Sequence, residues 1–183
     1  MKDLVLTLIG PDRPGLVEAV SDVVAAHGGN WLESRMAHLA GKFAGVLRVE
    51  IPEDKTAGLT QALARLETQG LRIVVEPSLD APNPAPTRIL ELSLLGQDRP
   101  GIVREVSQLL ATHKVNVEDL VTDRSSAPMS GEMLFSARAR LHAPTTLDLS
   151  VLRQGLERLA HDLMVDLRLV EAHFQSSGPQ TRR

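Results

Sequence analysis

Two stretches of this chain combine glycine, charge and proline in an order suited to holding a small anion. One is Gly10-Pro11-Asp12-Arg13-Pro14-Gly15-Leu16 and the other is Gly96-Gln97-Asp98-Arg99-Pro100-Gly101-Ile102. Each leads into a segment with helical periodicity, so each delivers the unsatisfied N–H groups of a helix start and the positive end of its dipole. Such a terminus can receive a carboxylate. Gly10, Gly15 and their counterparts Gly96 and Gly101 lack side chains, which lets a ligand's backbone-like atoms approach. Asn30 and Asn116, each opening the next expected strand, add a donor and an acceptor. The same residues also have plain structural uses. Asp-Arg-Pro-Gly is a good helix start, with Pro14 suited to the first helical position and Asp12 to the cap, and Asp12 could pair with Arg13.

Other chemistries find little support. There is no cysteine, which excludes disulfides, thiolate zinc sites and a Cys nucleophile. The six histidines (His27, His38, His113, His142, His161 and His173) form no metal-binding pattern with carboxylates. His27 and His113 fall in equivalent last helical turns, where a histidine suits the C-terminal carbonyls. Ser21 and Ser107 also correspond but have no repeated base beside them, so a hydrolase triad is unsupported. No phosphate-binding glycine motif occurs. The expectation is a chain without catalysis, metal or cofactor.

The elements that position these residues follow from an internal repeat. Leu6 to Asn30 matches Leu92 to Asn116 without a gap, 86 positions on. In each copy an alternating apolar run reads as a strand, Leu4, Leu6 and Leu8 in the first. The apolar stripe Leu16, Val17, Val20, Val23 and Val24, repeated as Ile102, Val103, Val106, Leu109 and Leu110, predicts a helix. Gly28-Gly29 ends the first of these. A hairpin about Gly41-Lys42, a helix carrying Leu59, Leu63 and Leu66, and a strand with Leu71, Ile73 and Val75 complete the copy. The second copy repeats the order, with Leu152, Leu156, Leu159 and Leu163 on its second helix and Val165, Leu167 and Leu169 on its last strand. Its hairpin is longer, through Ser125-Ser-Ala-Pro-Met-Ser-Gly131. The order βαββαβ, twice, predicts an α+β fold of two ferredoxin-like modules, with antiparallel sheets and helices on one face. The modules are placed at 1–79 and 88–174, joined by a proline-rich linker at 80–87 and followed by a polar tail at 175–183.

Composition narrows the classes further. Apolar residues make up 43% but aromatics only 2%, so the core must be aliphatic. The formal charge of −3 supplies no basic field for nucleic acid, and too few aromatics are present for base stacking. Arg138 and Arg140 share one strand face, a thin signal by itself. The early apolar run from Leu4 to Ile9 is too short for a signal-peptide core or a membrane span, so a cytoplasmic protein with no membrane contact is expected.

The motif G-x-D-R-P-G-[LI]-V, followed by a helix and by Gly-Asn or Val-Asn opening a strand, resembles ACT domains. Two copies and little else, with the Pro-Met-Ser-Gly-Glu132 hairpin ahead of Leu134-Phe135, resemble the glycine cleavage system transcriptional repressor family. Related modules precede catalytic domains in formyltetrahydrofolate deformylases and some phosphoserine phosphatases, but no such domain occurs in this sequence. The resemblance implies sensing of a small amino acid, glycine first, and action through a DNA-binding transcription factor rather than on nucleic acid directly. It implies a ligand site at Gly10, Asp12, Arg13, Gly15, Leu16 and Asn30, and at Gly96, Asp98, Arg99, Gly101, Ile102 and Asn116. Edge strands needing partners favour a homodimer. Two other readings stand beside this one: an amino-acid-sensing adaptor that modulates an enzyme, and a small enzyme with an unrecognised site between the modules. The first copy's Gly29 and Trp31 become Val115 and Val117 in the second, so the two sites need not be alike.

Overall fold

The computed structural model describes residues 1–79, 86–127 and 131–172. Most of the linker expected at 80–87, the Pro128-Met129-Ser130 part of the longer hairpin, His173, Phe174 and the tail at 175–183 lie outside the described residues. The chain forms two compact units. The first runs β1 (Lys2–Pro11), α1 (Leu16–Ala26), β2 (Asn30–Leu39), β3 (Lys42–Ile51), α2 (Thr56–Arg65) and β4 (Arg72–Pro77). The second runs β5 (Thr87–Gln97), α3 (Ile102–Thr112), β6 (Asn116–Ser126), β7 (Met133–Pro144), α4 (Leu149–Leu163) and β8 (Val165–Glu171). The sheets are antiparallel throughout, ordered β2-β3-β1-β4 and β6-β7-β5-β8. This is the α+β, ferredoxin-like βαββαβ arrangement expected from the repeat.

Alternation decides which face is covered. Leu4, Leu6 and Leu8 of β1 and Leu47, Val49 and Ile51 of β3 are buried beneath Leu16, Val20 and Val24 of α1 and Leu59 and Leu63 of α2. Leu90, Leu92, Leu94 and Leu141 meet Ile102, Val106, Leu110, Leu152 and Leu156 in the same way. Each fully buried leucine contributes about 1.5–3 kcal/mol, so two all-aliphatic cores suffice without aromatic filling. One part of the expected stripe faces outward. Val17 is 45% exposed and Val103 43%, the latter at the flank of α3 that faces the edge strand β6. Val103, Val117 and Leu120 consequently line an open apolar groove between α3 and β6.

The fourth helix is held by a true side-chain cap. Asp148 accepts the Ser150 N–H at 2.8 Å and the Ser150 hydroxyl at 2.7 Å. The Ser150 hydroxyl, then its N–H, hold this carboxyl below the usual aspartate range, with weaker help from Val151 N–H and the Arg88 charge against desolvation. A folded-state pKa below the unfolded one gives stability that is present above the unfolded pKa and lost as pH falls through the folded one. Asp148→Asn should therefore flatten the acid limb of the second module's stability below about pH 4. Urea melts of the two proteins across pH 2–6 check this, and parallel acid limbs would refute it.

Candidate functional site

Both motif loops have the same backbone solution. Gly15 and Gly101 are left-handed, with φ of 88° and 98°, and each is the N-cap of its helix. Their carbonyls accept the first intrahelical bonds, from Ala19 N–H at 2.9 Å and Glu105 N–H at 3.0 Å. No side chain caps either helix. Asp12 therefore does not cap α1, and Pro14 precedes the helix instead of occupying its first position; the left-handed Gly15 that follows Pro14 takes the N-cap. Asp12 is tied instead to the hairpin, through its N–H to the Gly41 carbonyl at 3.0 Å and its carboxylate 3.7 Å from His38. Asp98 repeats this with the Met133 carbonyl and Arg124. Arg13 does not pair with Asp12 but donates to the Gln69 carbonyl at 3.0 Å, while Arg99 lies 3.9 Å from Glu105. The charged pair of the motif thus braces the loop against its own module.

Room for a ligand exists at only one glycine of each loop. A Cβ on Gly10 would fall 2.7 Å from the Gly70 carbonyl oxygen, and one on Gly96 2.4 Å from a Val165 methyl. The approach expected at Gly10 and Gly96 is filled by the chain entering the last strand, so these glycines serve packing. Above Gly15 the nearest atom is a Glu18 carboxylate oxygen at 3.7 Å, and above Gly101 a Glu105 oxygen at 3.5 Å. Leu16 and Ile102 point into the cores, at 4% and 3% exposure, and can offer a ligand only their N–H groups. The opening at each helix start is thus a set of free N–H donors beside one glutamate. Sequence comparison of the copies misses Glu18 and Glu105 because they are not equivalent. Glu18 aligns with Arg104 and Glu105 with Ala19, yet three or four residues after the glycine brings either one over the same helix end.

The asparagines lie elsewhere. Pro11 pairs with Lys42, whereas Asn30 pairs with Glu50, eight positions along β3. At ~3.3 Å per residue the loop and Asn30 stand about 26 Å apart, at opposite ends of one sheet. Asn116, paired with His142, is equally remote from the second loop. A bulge follows each asparagine, where the register shifts between Trp31 and Glu33 and between Val117 and Asp119. The inserted residue is Leu32 in the first copy and Glu118 in the second. Glu118 accepts from Arg140 at 3.2 Å and from His142 at 3.0 Å, so the two asparagine ends differ in charge and rigidity.

Among the described residues no polar or charged residue is buried, and no group of three or more His, Asp or Glu is placed to hold a metal ion. No described helix is long and apolar enough to cross a membrane. The described residues form a pair of βαββαβ modules. The ACT domain family model matches residues 2–76 and 88–170; the chain belongs to the ACT domain family, as a tandem of two such domains. It is similar to the glycine cleavage system transcriptional repressor of Escherichia coli (strain K12), 24% identical over 164 residues, spanning 87% of this chain and 85% of that protein. A crystal structure of an unknown protein from Galdieria sulphuraria superposes with a TM-score of 0.81 at 29% identity, over 94% of this chain and 99% of that one. A crystal structure of a candidate glycine cleavage system transcriptional repressor gives 0.69 at 19% identity, over 93% and 97%.

Proposed function

We propose that this protein is a cytoplasmic, non-catalytic regulator that senses glycine and represses glycine cleavage genes through a DNA-binding transcription factor. The observation that carries this reading is the repeated uncapped helix start, with an open left-handed glycine and a glutamate oxygen 3.5–3.7 Å from where its Cβ would be. Free N–H groups suit an α-carboxylate and the glutamate suits an α-ammonium. Neither contact reads a side chain, so both suit any α-amino acid, and glycine is chosen for the similarity to the glycine cleavage system repressor. The whole-length similarity to the Escherichia coli repressor supports the regulatory part.

The asparagines can join such a site across a homodimer. β2 is a sheet edge, and antiparallel pairing of two β2 edges turns one strand end for end. Asn30 of the partner subunit then comes to the end of the sheet where the Gly15 loop lies. The same argument applies to β6 and Asn116. Calorimetric titration of the purified protein with glycine, serine and alanine should give saturable heat, tightest for glycine; no heat with any of them would sink the sensing reading. Pull-downs from native lysate should recover a transcription factor in a glycine-dependent way. Recovery of an enzyme instead would favour the adaptor reading. Tight, specific gel shifts of a glycine cleavage promoter by the protein alone would overturn the need for a partner.

A further inference from the structure

The face of the second sheet turned away from its helices carries two arginines at positions where the first sheet has valines. Ser93 on the central strand β5 is paired with Arg138 on β7 and with Arg168 on β8. Directly paired residues share a face, so the two guanidiniums rise on either side of one hydroxyl, with backbones about 10 Å apart at the usual strand spacing. Of the arginines in this sheet, Arg88, Arg124 and Arg140 each face a carboxylate, respectively Glu171, Asp98 and Glu118. Arg138 and Arg168 have no ion pair or hydrogen bond among the described residues. With Ser93 and Ser136 they line a concavity of about 730 Å³, a size typical of small-molecule sites.

The repeat supplies an internal control. At the matching positions of the first module Thr7 is paired with Val46 and Val74. The fold therefore does not need arginine there, and valine suits a strand better. Two unpaired like charges on the strands that flank β5 repel each other, and an oxyanion between them converts that cost into two charge-assisted contacts. The planar guanidinium fork matches carboxylate and phosphate oxygens in pairs. Asp123 and Asp166 border the concavity one row further along the strands. They exclude an extended polyanion and leave room for one compact anionic group.

We propose that this face binds a small molecule through a single carboxylate or phosphate group, held between Arg138 and Arg168 over Ser93. The site is separate from the helix starts and does not rest on the glycine reading. The test is calorimetric titration of the full chain with inorganic phosphate and, separately, with succinate, at ionic strength held constant with sodium chloride. One or both should bind saturably. The double variant Arg138→Val/Arg168→Val, which installs the first module's own residues, should fold normally by circular dichroism and weaken that binding about tenfold or more. Arg138→Lys/Arg168→Lys keeps the charge but loses the forks, and should fall between. Binding of phosphate alone assigns a phosphorylated ligand, and of succinate alone a carboxylate. Absence of saturable binding by both, or unchanged binding in the valine variant, overturns the proposal. Glycine heat should survive in the valine variant; its loss there would move the amino acid to this face and overturn the helix-start reading instead.

Discussion

Alanine at Gly10 or Gly96 should destabilise its own module by about 2–3 kcal/mol with no ligand present. At Gly10 the added methyl would meet the Gly70 carbonyl oxygen at 2.7 Å and the Leu71 Cα at 3.3 Å. At Gly96 it would meet the Val165 methyl at 2.4 Å, its Cβ at 2.8 Å and its Cα at 3.0 Å. Main-chain atoms cannot rotate away, so the last strand must shift and disturb Leu71 or Val165, both core residues. A module of this size loses roughly 4–8 °C of melting temperature per kcal/mol, so a fall on the order of 10 °C or more is expected. Calorimetric melting of each single variant measures it. Gly15→Ala is the control, since its Cβ would meet only Glu18 at an ordinary 3.7 Å and the left-handed backbone alone opposes it, at about 1–2 kcal/mol. If Gly10→Ala melted like the wild type while losing glycine binding, the glycine would be there for the ligand. The packing makes the opposite order of effects the expected one.

The fold was legible because its signals are local and occur twice. Alternating leucines in β1 and β5, helical spacing from Leu16 and Ile102, and a gapless repeat all report short-range geometry that the cores then use. Val17 and Val103 broke the pattern because a stripe read from one helix says nothing of how far the sheet extends past it. The loop was half legible. Its role as a helix start follows from glycine and proline, but the partners of Asp12, Arg13 and Gly10 come from Gly41, Gln69 and Gly70, which only the closed fold brings near. Asn30 misled most. It follows α1 closely in sequence, and nothing local reveals that β1 and β2 run parallel with β3 between them, which carries the start of β2 to the far end. Glu18 and Glu105 escaped for the reverse reason: a repeat alignment compares equal positions, while a helix end can be served from either of two.

That far placement makes the last prediction sharp, because it separates sites built within one chain from sites shared by two. In a background where Gly101→Val closes the second loop, Gly15→Val should block the first helix start, and Asn30→Ala should remove the strand contribution. Each variant alone should lose most of the glycine-dependent rise in melting temperature. For a ligand that binds only the folded state, the wild-type rise corresponds to about 2.7 kcal/mol at a hundredfold excess over Kd. Over a module of this length it amounts to about ten degrees or more, at roughly 4–8 °C per kcal/mol. Refolding the two variants together produces mixed dimers. In each, the intact Gly15 loop of one subunit meets the intact Asn30 of the other, while the second site carries both lesions. With random pairing about a quarter of first-module sites are restored, and calorimetric titration should recover that fraction with wild-type affinity. A site assembled within one chain predicts no recovery at all, since every chain in the mixture is defective. Zero recovered heat, with mixed dimers verified by mass, would show that antiparallel edge pairing does not build the site. Full glycine heat kept by the Asn30→Ala variant alone would show instead that Asn30 has no part in holding glycine.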